Sequence, residues 1–257
     1  MKKKIIYVTI LFLGSILALT SCNSTDKKNK QEKTTKSQNE LSQQQSDNDM
    51  YNAFGVIKIK DLSAIALGYP ADDGKGTFYI SLKDVAKYHG KVCPGIATGF
   101  KMFQDVFARL YPNGEIPVRG QIKVASSRAS DLLDVAGYII GAHSFKEHCN
   151  LSKGDLVVDT TLNPHQPMTF AMVFKRKDNG KMIKVIFHKG KLIPDKYKPF
   201  IKETTEEALK GKADSTTANK FRNLVSSWVK NILTNGINPE VYEIKECTKY
   251  KFPNEKN

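Results

Sequence analysis

Acidic side chains are in short supply: 26 Asp and Glu stand against 40 Lys and Arg, a formal charge of +14. An excess of that size suits nucleic acid or an anionic membrane surface. No nucleic-acid motif accompanies it, so no nucleic-acid partner is expected, and a solvated Lys-rich surface near anionic lipid is the plainer reading. After the first twenty residues there is no further apolar run that could cross a bilayer, and no internal repeat recurs. From Asn23 to about Met50 apolar residues all but vanish, with Leu41 the one aliphatic side chain. Such a stretch buries too little to offset its ordering entropy, so 22-50 is expected to be a disordered tether. Cysteine is sparse as well, with only Cys22, Cys93, Cys149 and Cys247.

What the chain does have begins at its first residues. Met1-Lys2-Lys3-Lys4 is followed by an almost unbroken apolar run from Ile5 to Leu19. A basic start, a short apolar core and small residues before a cut site describe a secretory signal, here 1-21. The run is shorter than the ~20 residues a spanning helix needs. It ends Leu19-Thr20-Ser21-Cys22, which resembles the lipobox of bacterial lipoproteins. The resemblance implies cleavage before Cys22, a diacylglyceryl group on its sulfur and an acyl chain such as palmitate on the new amino terminus. Two or three chains, at ~0.8 kcal/mol per buried CH2, anchor stably where one would not. The expected location is the cell envelope outside the cytoplasm, with the membrane as partner through Cys22. Loss of Lys2, Lys3 and Lys4 with the signal lowers the formal charge from +14 to +11.

Roughly 205 residues from Tyr51 onward are enough for one core. Ser81-Leu82-Lys83-Asp84 reads as a capping box opening a helix to His89, with Gly90 as terminator. Pro94 suits the first turn of the next helix, where Ile96, Phe100, Phe103, Phe107 and Leu110 form a buried stripe. That helix ends near Tyr111-Pro112-Asn113-Gly114. Val118 to Ala125 alternates as a strand. Ser127 or Ser130 caps a third helix with Leu133, Ala136, Ile139 and Ile140 inward and Gly141 at its end. Gly154 to Thr161 and Met168 to Lys175 read as strands, and Asp178-Asn179-Gly180 turns the second into Ile183–Phe187. Ile201 to Leu233 is largely helical, with Phe221, Leu224, Val225, Trp228 and Ile232 on one face. This order predicts an α+β fold, an antiparallel sheet packed with helices in a single domain after the signal peptide and tether. The main body is 51-200, and 201-257 is a C-terminal helical segment packed on it.

With Cys22 set aside, three cysteines remain, and an odd number cannot all pair within one chain. At least one thiol should be free, metal-bound or joined to another molecule. The richest stretch is Tyr88-His89-Gly90-Lys91-Val92-Cys93-Pro94-Gly95. On the helix assignments above, His89 ends one helix and Cys93 starts the next, where the positive helix end favours a thiolate. The pair could ligate zinc, or His89 could activate Cys93 as a nucleophile in a metal-free thiol enzyme. Equally, Cys93 could be a buried small residue and His89 a helix cap. Cys93-Pro94 also matches the short motif of thiolate-haem sites, which keeps haem open as an alternative cofactor. Cys149 could ligate or form a disulfide with Cys247, the latter favoured in an exported protein. His165 and His188 read as solvated surface histidines.

His-Gly-x-x-Cys-Pro-Gly with a glycine four residues later resembles the signature of the formylmethanofuran dehydrogenase E-subunit family. Asp134, Gly141 and Asn150-Leu151 fall where that family has an aspartate, a helix-ending glycine and an Asn-Leu pair. The resemblance covers roughly Leu82 to Lys175. It implies an α+β domain, often a homodimer, with a His/Cys-centred pocket that binds a transition metal, commonly zinc. The family usually has His-Gly-His, where this chain has Lys91. It favours a cysteine where this chain has Asp131, and often a further one where this chain has Ala142-His143. A metal site rebuilt around His89, Cys93, Asp131 and His143 is therefore expected. The chain has no Cys-x-x-Cys pair, so the zinc ribbon of some members is not expected in it.

The leader generates a direct test. Cys22→Ala should release the protein from membranes or leave it unprocessed, as read by fractionation and lipid labelling. Unchanged processing, fractionation and labelling in that variant would remove the anchor from the account.

Overall fold

The structure is a computed structural model, and it describes residues 42, 45, 49, 51–142, 147, 151–235 and 239–253. The expected signal and nearly all of the expected tether, including Cys22, lie outside the described residues, as do His143 and Cys149. Residues 47–257 form one compact unit.

The unit opens with a small hairpin, β1 (Val56–Lys60) and β2 (Thr77–Ser81), paired antiparallel around a short helix α1 (Leu62–Leu67). Neither strand nor α1 is among the elements expected from the sequence. Asp61 caps α1 by accepting from Ser63 and Ala64 N–H, and Gly68 closes it at φ 67°. Helix α2 (Leu82–His89) follows at once, with Ser81 and Asp84 forming the expected capping box and Gly90 the left-handed end. Helix α3 (Pro94–Leu110) has Cys93 as its N-cap and Pro94 in its first turn. Its expected stripe is fully buried at Ile96, Phe100 and Phe103, and Phe103 meets Phe174 edge-on at 5.0 Å.

The larger sheet runs in the order β4-β3-β5-β6-β7, with β3 (Ile122–Ser126), β4 (Leu156–Val158), β5 (Thr169–Arg176), β6 (Met182–His188) and β7 (Tyr242–Glu246). β5 is central and buried on both faces. Phe170, Met172 and Phe174 enter the main core, while Ala171 and Val173 join a second cluster with Leu162 and Phe252. That split is the two-residue period of a strand. The Asp178-Asn179-Gly180 turn joins β5 to β6 as expected.

An all-antiparallel sheet does not form; this sheet is mixed. β3 and β4 pair in parallel because α4 (Asp131–Ile140) lies between them and returns the chain in the same direction. Gly154 to Thr161 holds only a three-residue strand, flanked by single 3-10 turns capped by Ser152 and Asp159. Val118 to Gln121 stays outside β3, since Arg119 N–H donates to Lys60 and Gln121 N–H to Val118. The long C-terminal helix is two, α5 (Lys198–Leu209) and α6 (Ser215–Asn235), interrupted at Gly211 with φ 66°. Beyond them β7, which no sequence signal announces, adds to β6, and Tyr242 donates its hydroxyl to Asp105 of α3. Among the described residues no helix is long and apolar enough to cross a membrane.

Helices α3 and α4 touch where α3 has no side chain. A Cβ on Gly99 would lie 2.8 Å from Leu132 Cδ2 and 3.2 Å from Val135 Cγ2. Both neighbours are buried, so they have little room to retreat. Gly99→Val should therefore lower the unfolding free energy by ~1–3 kcal/mol, the usual range for overpacking. Urea denaturation reads this directly, and an unchanged midpoint would show that the helices are not held that closely.

Candidate metal centre

Three helix ends meet at one place. His89 is the last residue of α2, Cys93 the N-cap of α3 and Asp131 the first residue of α4. One ligand atom from each of the three lies within 4.8 Å of the others, a grouping that could hold a metal ion. The placement suits the charges, since the N-terminal ends of α3 and α4 favour thiolate and carboxylate. Between His89 and Cys93 the chain reverses through Gly90, at φ 93°, which only glycine adopts readily.

His89 is the best-fixed member. Its Nδ1 is 2.8 Å from Asp134 Oδ2, one turn along α4 from Asp131, and its side chain is only 13% exposed. A carboxylate on Nδ1 orients the ring and leaves Nε2 to offer its lone pair, the usual arrangement behind a metal-ligating histidine. Tyr88 and Tyr138, with ring centroids 5.6 Å apart, bridge the same two helices. Farther along, Arg119 donates to the carbonyls of Tyr138 and Ile139 and so closes the end of α4.

Cys93 is half-buried, and burial pushes its thiol pKa up; nearby Asp131 pushes the same way. The N–H groups of Ile96 and Gly95 and the charge of Lys91 oppose that rise without cancelling it. The net rise favours the thiol form of Cys93. Gly95 keeps the centre open. A Cβ there would stand 3.0 Å from Asp131 Oδ2 and 3.6 Å from Cys93 Sγ, inside the ligand group. Lys189, in the turn after β6, approaches from the sheet side with its Nζ 3.6 Å from Asp131 Oδ2. Ser130 Oγ, beside Asp131, is buried without a hydrogen-bond partner.

Of the residues singled out from the sequence, the structure brings His89, Cys93 and Asp131 together; His143 falls outside the described residues. The expected Cys149–Cys247 pairing involves an undescribed residue, while Cys247 itself is half-buried against the second core cluster. His165 is exposed. His188 is a correction: it ends β6 rather than lying in a solvated turn, with Nδ1 3.3 Å from Thr169 Oγ1 and Nε2 3.7 Å from Glu243. Sequence reasoning missed Asp134 as the partner of His89 and Lys189 as the partner of Asp131. The three-residue interval from Asp131 to Asp134 places both carboxylates on one helix face, but it does not say which of them meets His89.

The raised thiol pKa has a chemical readout. In the metal-free protein, Cys93 should react with iodoacetamide at pH 8 several-fold more slowly than a cysteine in an unfolded peptide, because thiolate is the nucleophile. Denaturation should remove the difference, and equal rates in the folded state would contradict the burial argument.

A family model described as FmdE, Molybdenum formylmethanofuran dehydrogenase operon, matches residues 88–238. That span begins one residue before His89 and takes in Cys93, Asp131, Asp134 and Lys189. No curated protein and no solved structure matches the chain. Because the match covers more than half of the 257 residues and contains the whole ligand group, the chain belongs to the FmdE family.

Proposed function

We propose that this protein is exported, held at a membrane surface through a lipid on Cys22, and binds a transition metal, zinc, through His89, Cys93 and Asp131. The observation that carries the metal reading is the convergence of one nitrogen, one sulfur and one oxygen donor within 4.8 Å. Three protein donors of mixed type leave a coordination position for solvent or substrate, as in catalytic rather than structural zinc sites. Borderline zinc accepts all three donor types, whereas calcium or magnesium would reject the sulfur. When bound, the ion would supply Lewis acidity at that position.

The protein's own groups have distinct parts. Asp134 holds the His89 ring in one tautomer. Cys93 would ligate as the thiolate. Gly95 leaves space beside Asp131 and Cys93 in which an ion would fit, and Lys189 pairs with Asp131. Anchoring is supported by the leader alone, through the basic start, the apolar run and Leu19-Thr20-Ser21-Cys22. Lys91, in place of the family's second histidine, cannot ligate while protonated.

Metal content of protein purified without a His tag tests the site. Wild type should hold about one zinc per chain, and His89→Ala and Cys93→Ser should lose it. Asp134→Asn should weaken binding by ~10–100-fold, the usual cost of losing such a carboxylate. Lys91→His should bind at least as tightly as wild type. Occupancy should fall on acidification, since binding needs thiolate and neutral imidazole. Wild type without transition metal at micromolar concentration, or Cys93→Ser binding equally well, would overturn the site. A Soret band on adding haem, lost in Cys93→Ser, would replace zinc by haem.

A further inference from the structure

An apolar cavity stands beside the metal centre. A pocket of about 520 Å³ lies between α5, α6 and the turn that joins His89 to Cys93. Its volume falls in the ~300–1,000 Å³ range of small-molecule sites. Ala208 and Leu209 come from α5, Phe221, Val225 and Val229 from α6, and Val92 from the turn. The steps of four along α6 put its three on one helical face.

The charges of this lining are one-sided. Only Lys91 and Arg222 carry a charge near neutral pH, and both are cations. Helix α5 carries Glu203, Glu206 and Glu207, yet none of them lines the pocket, while Thr204, Thr205, Ala208 and Leu209 do. Neither Lys91 nor Arg222 pairs with a carboxylate among the described residues. At the rim, Leu209 is 84% exposed, a large apolar side chain left in water. An apolar groove with an exposed leucine and two uncompensated cations suits a ligand with an apolar body and an anionic end. The tether is unsuited to fill it, because Asn23 to Met50 is polar apart from Leu41 and its end residue.

We infer that this pocket binds a single-chain apolar carboxylate, its chain between α5 and α6 and its carboxylate against Arg222 and Lys91. One guanidinium fork matches one carboxylate in a bidentate pair, with the lysine as a second, mobile charge. The head group then sits on the turn that carries both His89 and Cys93, two residues from the sulfur. The site does not depend on a bound metal. Its function differs from that of the metal centre, and the two fail separately.

Calorimetric titration of the full chain with decanoate, decanol, decyl phosphate and decyltrimethylammonium tests the assignment. Decanoate should bind saturably at one site, at least tenfold more tightly than decanol or the cation. Arg222→Glu, an exposed and therefore structurally mild change, should weaken decanoate at least tenfold and strengthen decyltrimethylammonium. Lys91→Gln should weaken decanoate without altering decanol. Cys93→Ser, which removes a proposed metal ligand, should bind decanoate as wild type does. Equal binding of decanoate and decanol, or Arg222→Glu leaving decanoate unchanged, would overturn the inference. Tighter binding of decyl phosphate than of decanoate would overturn the carboxylate assignment in favour of a phosphate head group.

Discussion

Helices α3 and α4 approach through Gly99, and the rest of the site follows from how near they come. Leu132 and Val135 fill the space that any larger residue at 99 would need. Because the helices lie that close, their first turns also meet, and Cys93 and Asp131 are brought to one point although 38 residues separate them in sequence. Gly95, one turn nearer the end, continues the same bare strip and leaves the junction hollow instead of filled. A helix pair packed through glycine at one level and open at the next places ligands on rigid elements, which positions them more tightly than a loop could.

The electrostatics of that junction pull in opposite directions. Burial works against a charged sulfur, and the carboxylate of Asp131 works in the same direction. Peptide N–H groups at the start of α3 and the positive charge of Lys91 pull the other way. The balance favours the thiol form of Cys93. His89 faces no such conflict, because Asp134 holds its ring from the other side.

Lys91 links the two halves of the functional reading. It sits in the turn between the two ligands, its charge acts on Cys93, and it also lines the apolar pocket under α5 and α6. A ligand anion that engages Lys91 would withdraw one of the forces that favour thiolate. The C-terminal helices are thus more than a cover for the sheet: they form the wall of a cavity whose floor is the ligand-bearing turn.

Much of this was legible in the sequence because it depends on neighbours along the chain. The Ser81–Asp84 capping box, the Gly90 terminator, Pro94 at a helix start, the Phe100–Phe103–Phe107 stripe and the Asn179-Gly180 turn are local, and each formed where its residues predicted. His89 and Cys93 were recognisable for the same reason, being four residues apart with a helix on either side. The hairpin of β1 and β2, the parallel β3–β4 pair and the late strand β7 were not, since a strand's partner is chosen by burial and by pairing across long intervals. Nor could local pattern reveal that Asp134 grips His89, that Lys189 reaches Asp131 from the turn after β6, or that α5 turns its glutamates out of the pocket. Those contacts span 45, 58 and more than a hundred residues of sequence, and only the packing of helix on helix and helix on sheet decides which distant side chains meet.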